Sequence, residues 1–222
     1  MGNLNIRETL KEGTRDLHEQ TERSANAHLL SSASDGLSTY EGLIVCNQFI
    51  YANVERQIAQ FLTQCHPAYL SRFHLKKHIW LNQDLSQAQL HPIETFVHRL
   101  PEVKSLAEVA GMMYVLEGSM LGGRMIRKWL LQNDQLDACR PFYFYRGHDQ
   151  KSGQVWSELL NTLEEIIDSP SSMEQALLAA RRTFLFFTQI YSDPKLKILR
   201  PAPRLTDSPP ISRIAKNDSA RA

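Results

Sequence analysis

The feature that most constrains this chain is an apolar period of 3.6 residues, sustained over several long stretches with little period-2 alternation. Tyr40, Leu43, Ile44, Ile50, Val54, Ile58 and Phe61 fall on one helical stripe. Leu106, Val109, Ala110, Met113, Leu116 and Met120 form a second, and Ala176, Ala180, Phe184, Phe187 and Tyr191 a third. An earlier helix is expected from about Asn5 to Ala27, with Ile6, Leu10, Leu17 and Ala25 aligned. Weaker helical patterns cover 68–82, 93–100 and 152–168. Three capping boxes, Ser38–Glu41, Ser105–Glu108 and Ser171–Glu174, mark expected helix starts. Asp35-Gly36 reads as part of a polar loop between helices rather than a hairpin turn. With no repeat at a solenoid period, the pattern predicts a single all-α domain over residues 1–192.

The remaining residues, 193–222, have a different composition. They hold five of the ten prolines, and seven of the 25 basic residues against three of the 24 acidic ones. This leaves the body with 18 basic and 21 acidic side chains. A Pro-broken, basic segment with few bulky apolar residues is expected to be a disordered tail, or else a docking arm for an acidic partner. The net charge of +1 argues against binding duplex nucleic acid by phosphate neutralisation. No apolar run reaches the roughly 20 residues that span a bilayer, and Met1–Lys11 lacks the apolar core of a signal peptide. Cys46, Cys65 and Cys139 are odd in number and widely spaced, which fits a reducing cytoplasm and offers no C-x-x-C-H for covalent haem.

Two local features carry chemistry. Gly118-Ser-Met-Leu-Gly122-Gly123 puts three glycines within six residues of a helical pattern. Each interior glycine costs about 1 kcal/mol relative to alanine. Losing the Cβ atoms lets another object approach the backbone: either a neighbouring helix or a flat ligand. The second feature is His18, beside the apolar stripe of the first helix, with Glu22 at i+4 within reach of its imidazole. Such a carboxylate orients a metal-bound histidine and raises its basicity, although the same spacing also suits an ordinary surface pair. Lys11 and Arg15, at i−7 and i−3, project near the same face. A neutral ring flanked by two cations suits an iron macrocycle with acid side chains.

Other constellations are negative. There is no Glu-x-x-His for a di-iron bundle, no G-x-S-x-G and no phosphate loop. His74 and His78 share an expected helix face with Arg72, Lys76 and Lys77 around them, which reads as a basic solvated surface rather than a zinc site.

His18 within L-K-E-G-T-R-D-L-H-E-Q-T-E, followed later by Y-V-L-E-G-S-M-L-G-G-R, resembles the haem oxygenase family. The likeness is greatest to the bacterial type associated with phytochromes, and it covers most of residues 5–192 in order and spacing. It implies a helical bundle with haem between a proximal helix and a kinked distal helix. It implies His18 as the axial iron ligand, with Glu22 as its hydrogen-bond partner. Gly118, Gly122 and Gly123 match the distal glycines that lie against the haem face, and Lys11 and Arg15 match positions that pair with the propionates. Tyr51 matches a distal tyrosine that orders water, and Phe184 an aromatic of the pocket wall.

The match has departures. Ser119 stands where many members carry an aspartate, so hydrogen bonding near bound oxygen would be built without a charge. Two further propionate-contacting basic positions fall on Gly153 and Ser157, and a tyrosine contact falls on Met113, with Tyr114 adjacent.

By this resemblance the chain is a cytoplasmic enzyme that opens haem to biliverdin, carbon monoxide and ferrous iron, with haem as both substrate and cofactor. It would use molecular oxygen and electrons from an external reductase or ferredoxin-type redox partner. A phytochrome is the implied biliverdin acceptor in one setting, and iron acquisition is the purpose in another. The alternatives are a haem store that does not turn haem over, and a bundle enzyme of the same architecture with other chemistry.

Overall fold

The computed structural model describes residues 5–93 and 98–194, so the expected tail lies outside the described residues apart from Asp193 and Pro194. The described residues form eight α-helices joined by short 3-10 turns, with no strand among them. In chain order these are α1 (Ile6–Ala25), α2 (Gly36–Cys65), α3 (Pro67–Leu70), α4 (Lys77–Ala88), α5 (Leu106–Gln132), α6 (Tyr143–Arg146), α7 (Ser152–Ile166) and α8 (Pro170–Ser192).

Several helix boundaries differ from the sequence reading, each for a local reason. α2 starts at Gly36, so Asp35-Gly36 opens the helix instead of sitting in a loop. Ser38 lies within its first turn, where its hydroxyl donates to the Asp35 carbonyl. α5 does start after Ser105, whose Oγ accepts from Glu108 N–H at 3.2 Å. The Glu108 carboxylate, however, accepts from Lys104 N–H rather than from Ser105. α8 begins two residues early: Ser169 and Ser172 form the reciprocal box, and Pro170 occupies the first turn, so Ser171–Glu174 caps nothing.

The expected helix over 68–82 splits into α3 and α4. The start of α4 is fixed from outside: buried Glu55 of α2 accepts from the N–H groups of Lys77 and His78 at 3.0 and 3.2 Å. Those donors have no partner within their own helix. The expected helix over 93–100 runs across residues 94–97, outside the described residues, and 98–100 are not helical. The expected 152–168 helix is present as α7.

α8 is the central mast. α1 packs along one side and α5 along another, while α1 and α5 scarcely touch each other. On the α1 side, Thr21 Oγ1 meets Thr188 Oγ1 at 2.9 Å and the Phe184 carbonyl at 3.3 Å. Arg181 of α8 also clasps both carboxylate oxygens of Asp16, at 3.0 and 3.1 Å. On the α5 side, a Cβ at Gly111 would stand 1.9 Å from the Ala176 carbonyl oxygen, so the two backbones are in direct contact there. Leu10, Ile44, Ile50, Val109, Leu116, Ala180 and Ile190 are fully buried around this mast. α1 and α5 thus both rest on α8 without packing against each other.

Candidate functional site

α5 runs as a single uninterrupted helix. Its four interior glycines divide into two kinds. Gly111 permits helix–helix contact. Gly118, Gly122 and Gly123 do not serve that purpose. An added Cβ would meet nothing within 4 Å at Gly122, the Trp156 ring at 3.7 Å at Gly118, and Tyr145 at 3.9 Å at Gly123. Only Gly122 leaves bare backbone beside open space; Gly118 is in ordinary contact with Trp156 of α7, and buried Gly123 with the ring and carbonyl of Tyr145 in α6.

Ser119 and Tyr51 meet at this helix. Their hydroxyls hydrogen-bond to each other, and the Leu116 carbonyl lies 2.9 Å from Ser119 and 3.3 Å from Tyr51, so one hydroxyl donates to its partner and the partner donates to the carbonyl. Ser119 is exposed, while Tyr51 is buried against Phe144 and Phe187. Burial pushes the Tyr51 phenol well above its ordinary range. Tyr51 therefore orients the serine as a neutral partner and keeps its own hydroxyl off the solvent side.

α1 carries His18, with its side chain 53% exposed. Its ring packs edge-on to Phe184 of α8, centroids 5.6 Å apart. Glu22 Oε1 lies 3.7 Å from His18 Nε2. That is an ion-pair distance, longer than a hydrogen bond, so the hydrogen bond expected from the sequence is not formed. Lys11 and Arg15 are exposed on the same helix. Lys11 lies near Glu8 and Glu12, and Arg15 bonds to Glu12.

The structure thus gathers the expected residues into two groups. His18, Glu22 and Phe184 form one on α1 and α8, with Lys11 and Arg15 further along α1. Tyr51, Gly118, Ser119, Gly122 and Gly123 form the other on α2 and α5. Phe184 and Phe187, one turn apart on α8, touch one group each.

Of the two departures on α7, Gly153 and Ser157 are exposed, as expected of uncharged surface positions. Met113, by contrast, is fully buried in the core and cannot reach a ligand. Its neighbour Tyr114 is the side chain that turns toward α1, close enough for Arg7 and Glu8 to act on its phenol; burial is the larger influence and raises its pKa. Trp156 of α7 stacks beside Tyr114 at 5.5 Å and covers Gly118. The sequence marked Tyr114 only as the neighbour of Met113. Trp156 had no signal beyond its size.

The larger omission lies behind the glycine wall. Lys77 is not part of a solvated basic surface: its side chain is 0% exposed, and its Nζ bonds Glu117 Oε1 at 2.5 Å and the His74 carbonyl at 2.7 Å. Glu55 Oε1 stands 3.9 Å from the same ammonium, and Glu55 Oε2 meets His78 Nδ1 at 2.5 Å. The second oxygen of Glu117 faces His148 Nε2 at 3.3 Å. The His148 ring packs edge-on to His74 and Trp80. Burial alone would raise the Glu117 carboxyl, but His148 and Lys77 outweigh it and hold it below the ordinary range. His74 and His78 do not share a helix face, because His74 precedes α4. Burial lowers the His74 pKa. Glu117 adjoins Gly118 in sequence, so this buried array anchors the distal wall to α2, α4 and the 148 loop.

The family model described as Heme oxygenase matches residues 4–193, nearly the whole chain. The chain belongs to the haem oxygenase family. A curated heme oxygenase from Xanthomonas campestris pv. campestris (strain 8004) is 32% identical over 87 residues, 39% of this chain and 52% of that protein. The matched stretch therefore spans about half the length of that relative. Among solved structures, the NO- and CO-bound heme oxygenase from Neisseria meningitidis superposes with a TM-score of 0.63. That superposition covers 88% of this chain and 93% of the other at 17% identity, which is a likeness of fold. No described helix is long and apolar enough to cross a membrane.

Proposed function

We propose that this chain is a haem oxygenase that takes haem as substrate between α1 and α5, and opens it to biliverdin, carbon monoxide and ferrous iron. The observation that carries the proposal is the open backbone at Gly122, one turn from Gly118 and beside the Tyr51–Ser119 hydroxyl pair, in the same fold as half-exposed His18. A flat macrocycle needs both features: backbone close to one face and a nitrogen ligand on the other.

In this reading His18 binds iron. When bound, haem supplies the redox chemistry with oxygen, and the protein supplies position and hydrogen bonds. Glu22 holds the ring of His18 once the imidazole turns to place one nitrogen toward the carboxylate and the other toward iron. For a half-exposed ring this is a modest side-chain rotation. Phe184 backs the imidazole against sliding. Lys11 and Arg15 pair with the propionates on exchanging Glu8 and Glu12, which costs little because exposed pairs contribute only about 0–1 kcal/mol. The uncharged Ser119 hydroxyl, oriented by Tyr51, offers the distal hydrogen bond. Tyr114 closes the rim on the propionate side, the role that buried Met113 cannot take. Electrons come from an external reductase or ferredoxin-type protein. The proposed setting is the cytoplasm, with a phytochrome as one possible acceptor of the product.

The test is to add haem to the purified protein and supply a chemical or enzymatic reductant in air. Loss of the Soret band with growth of biliverdin absorbance supports the reading. A stable, unconsumed haem complex would make the protein a carrier instead.

A further inference from the structure

We infer that a second ligand site lies on the outer face of α5, a groove built to hold a small organic anion bearing more than one phosphate or carboxylate group. The groove has a volume of about 570 Å³. Arg124, Arg127 and Lys128 line it from α5 and Arg146 from the end of α6, with Asp149 the one carboxylate among its lining residues. Arg124, Arg127, Lys128 and Leu131 follow the i, i+3, i+4, i+7 spacing of a single helix face. At 100° per residue that face is centred about 180° from Gly122, so the groove lies across α5 from the face proposed for haem.

Arg124, Arg127 and Lys128 are unspent, while Arg146 also acts on the buried Asp84 carboxylate. None of the four forms an ion pair among the described residues. Arg124 donates only a long 3.4 Å bond to the Asp149 carbonyl, and Arg146 rests over the Tyr143 ring at 5.4 Å. The Nε of Arg127 is buried with no hydrogen-bond partner. A buried donor left unpaired is costly, and a bound acceptor would remove that cost.

A second groove on the same molecule provides the contrast. It is lined by Arg99, Lys104 and Arg182 and has a volume of about 430 Å³. All three of its cations are neutralised, Arg99 and Lys104 by Glu102 and Arg182 by Glu108. In that groove every cation has its carboxylate. The α5 groove leaves three unspent together around a hollow of the size that suits a small molecule.

The chemistry of the lining indicates what would fit. Guanidinium forks hold phosphate or carboxylate oxygens in pairs, and three arginines surround the hollow. Tyr145 and Leu131 add an apolar contact for a ring or chain, and Gln132 and Gln150 add amide groups. The volume and the mixed lining favour a compact organic anion over a broad protein surface.

The test uses the full chain, with and without haem, in buffer at physiological salt. Pyrophosphate, ADP and citrate are titrated by calorimetry as separate probes. The proposal expects at least one to bind, with affinity falling as salt rises. Tighter binding of pyrophosphate and ADP than of citrate assigns phosphate. The reverse order assigns carboxylate. The double variant Arg124→Ala/Arg127→Ala should weaken binding by about tenfold or more. Arg99→Gln, in the neutralised groove, should leave it unchanged. Both sets of residues are exposed or half-buried, and equal circular dichroism and melting of the variants confirms that the fold persists. No binding by any probe at millimolar concentration would overturn the inference. So would affinity that is unchanged in the double variant, or lost equally in Arg99→Gln. Binding of an acidic protein that resists competition by all three probes would also count against it.

Discussion

Lys77 Nζ bonds Glu117 Oε1 at 2.5 Å, and the two side chains are 0% and 3% exposed. A lysine and a glutamate taken wholly out of water are stable only as a pair. Removing one partner of such a pair typically costs about 3–5 kcal/mol, whereas replacing both by apolar groups can be nearly neutral. Lys77→Met alone should therefore lower the melting temperature of the haem-free protein by roughly 10 °C. The double variant Lys77→Met/Glu117→Leu should recover most of that loss. Thermal melts of the four proteins in a double-mutant cycle give the coupling directly, and additive losses would show that the pair is not an energetic unit.

The same carboxylate makes acid stability testable. Lys77 and His148 hold Glu117 below its ordinary value against the opposing effect of burial. An acid whose folded pKa is depressed contributes stability above its unfolded pKa, and loses it as pH falls through the folded value. Asp84 has the opposite sign. Burial raises its carboxyl to about 6, although the Tyr143 and Phe144 N–H groups, at 2.7 and 2.8 Å, and the charge of Arg146 pull it down. Tyr40, its own phenol raised by burial, lies alongside. Asp84 therefore costs stability progressively as pH rises from about 4 to about 6. Urea melts across that window should show Asp84→Asn to be least harmful, relative to wild type, at the upper end. A variant with an identical pH profile would contradict the assignment.

Much of the fold was legible because core helices announce themselves by period. The stripes of α2, α5 and α8 fall on Ile44, Val109, Leu116 and Ala180, all fully buried. Helix starts were less legible, because some are fixed by distant residues. Glu55 caps α4 from α2 across 22 positions, and no local pattern marks this. Lys77 misled for a related reason. Charge suggests surface, and only the fold brings Glu117, 40 residues away, to bury it. His18 and the distal glycines stood out because each breaks a local rule of its own helix. Trp156, an ordinary residue of an amphipathic helix, did not.

The glycines give the most economical contrast. Gly111→Ala would drive a methyl into the Ala176 carbonyl at 1.9 Å, a backbone that cannot move aside cheaply. The haem-free protein should be strongly destabilised or fail to accumulate. Gly122→Ala meets nothing within 4 Å and should stabilise the haem-free helix by up to about 1 kcal/mol. The same methyl then stands where haem is proposed to lie, and haem affinity or turnover should fall. Paired melts and haem titrations separate the two effects. Normal haem binding by Gly122→Leu would remove the glycine wall from the site.

Tyr51 and Ser119 test the distal hydrogen bond. Tyr51→Phe deletes one buried hydroxyl and should cost about 1 kcal/mol of stability. Ser119 then keeps only its bond to Leu116 and loses its fixed orientation. Turnover should drop more than haem affinity. Steady-state rates set beside haem titrations would show the reverse order if Tyr51 served packing alone.

The most direct measurement is made on His18. His18→Ala should fold normally, because a half-exposed helix residue is replaced by a stronger helix former. With haem added, the account predicts a changed Soret band, loss of ring opening in air with reductant, and partial restoration of both by free imidazole. A His18→Ala protein with the wild-type haem spectrum and undiminished biliverdin formation would contradict the account at its centre.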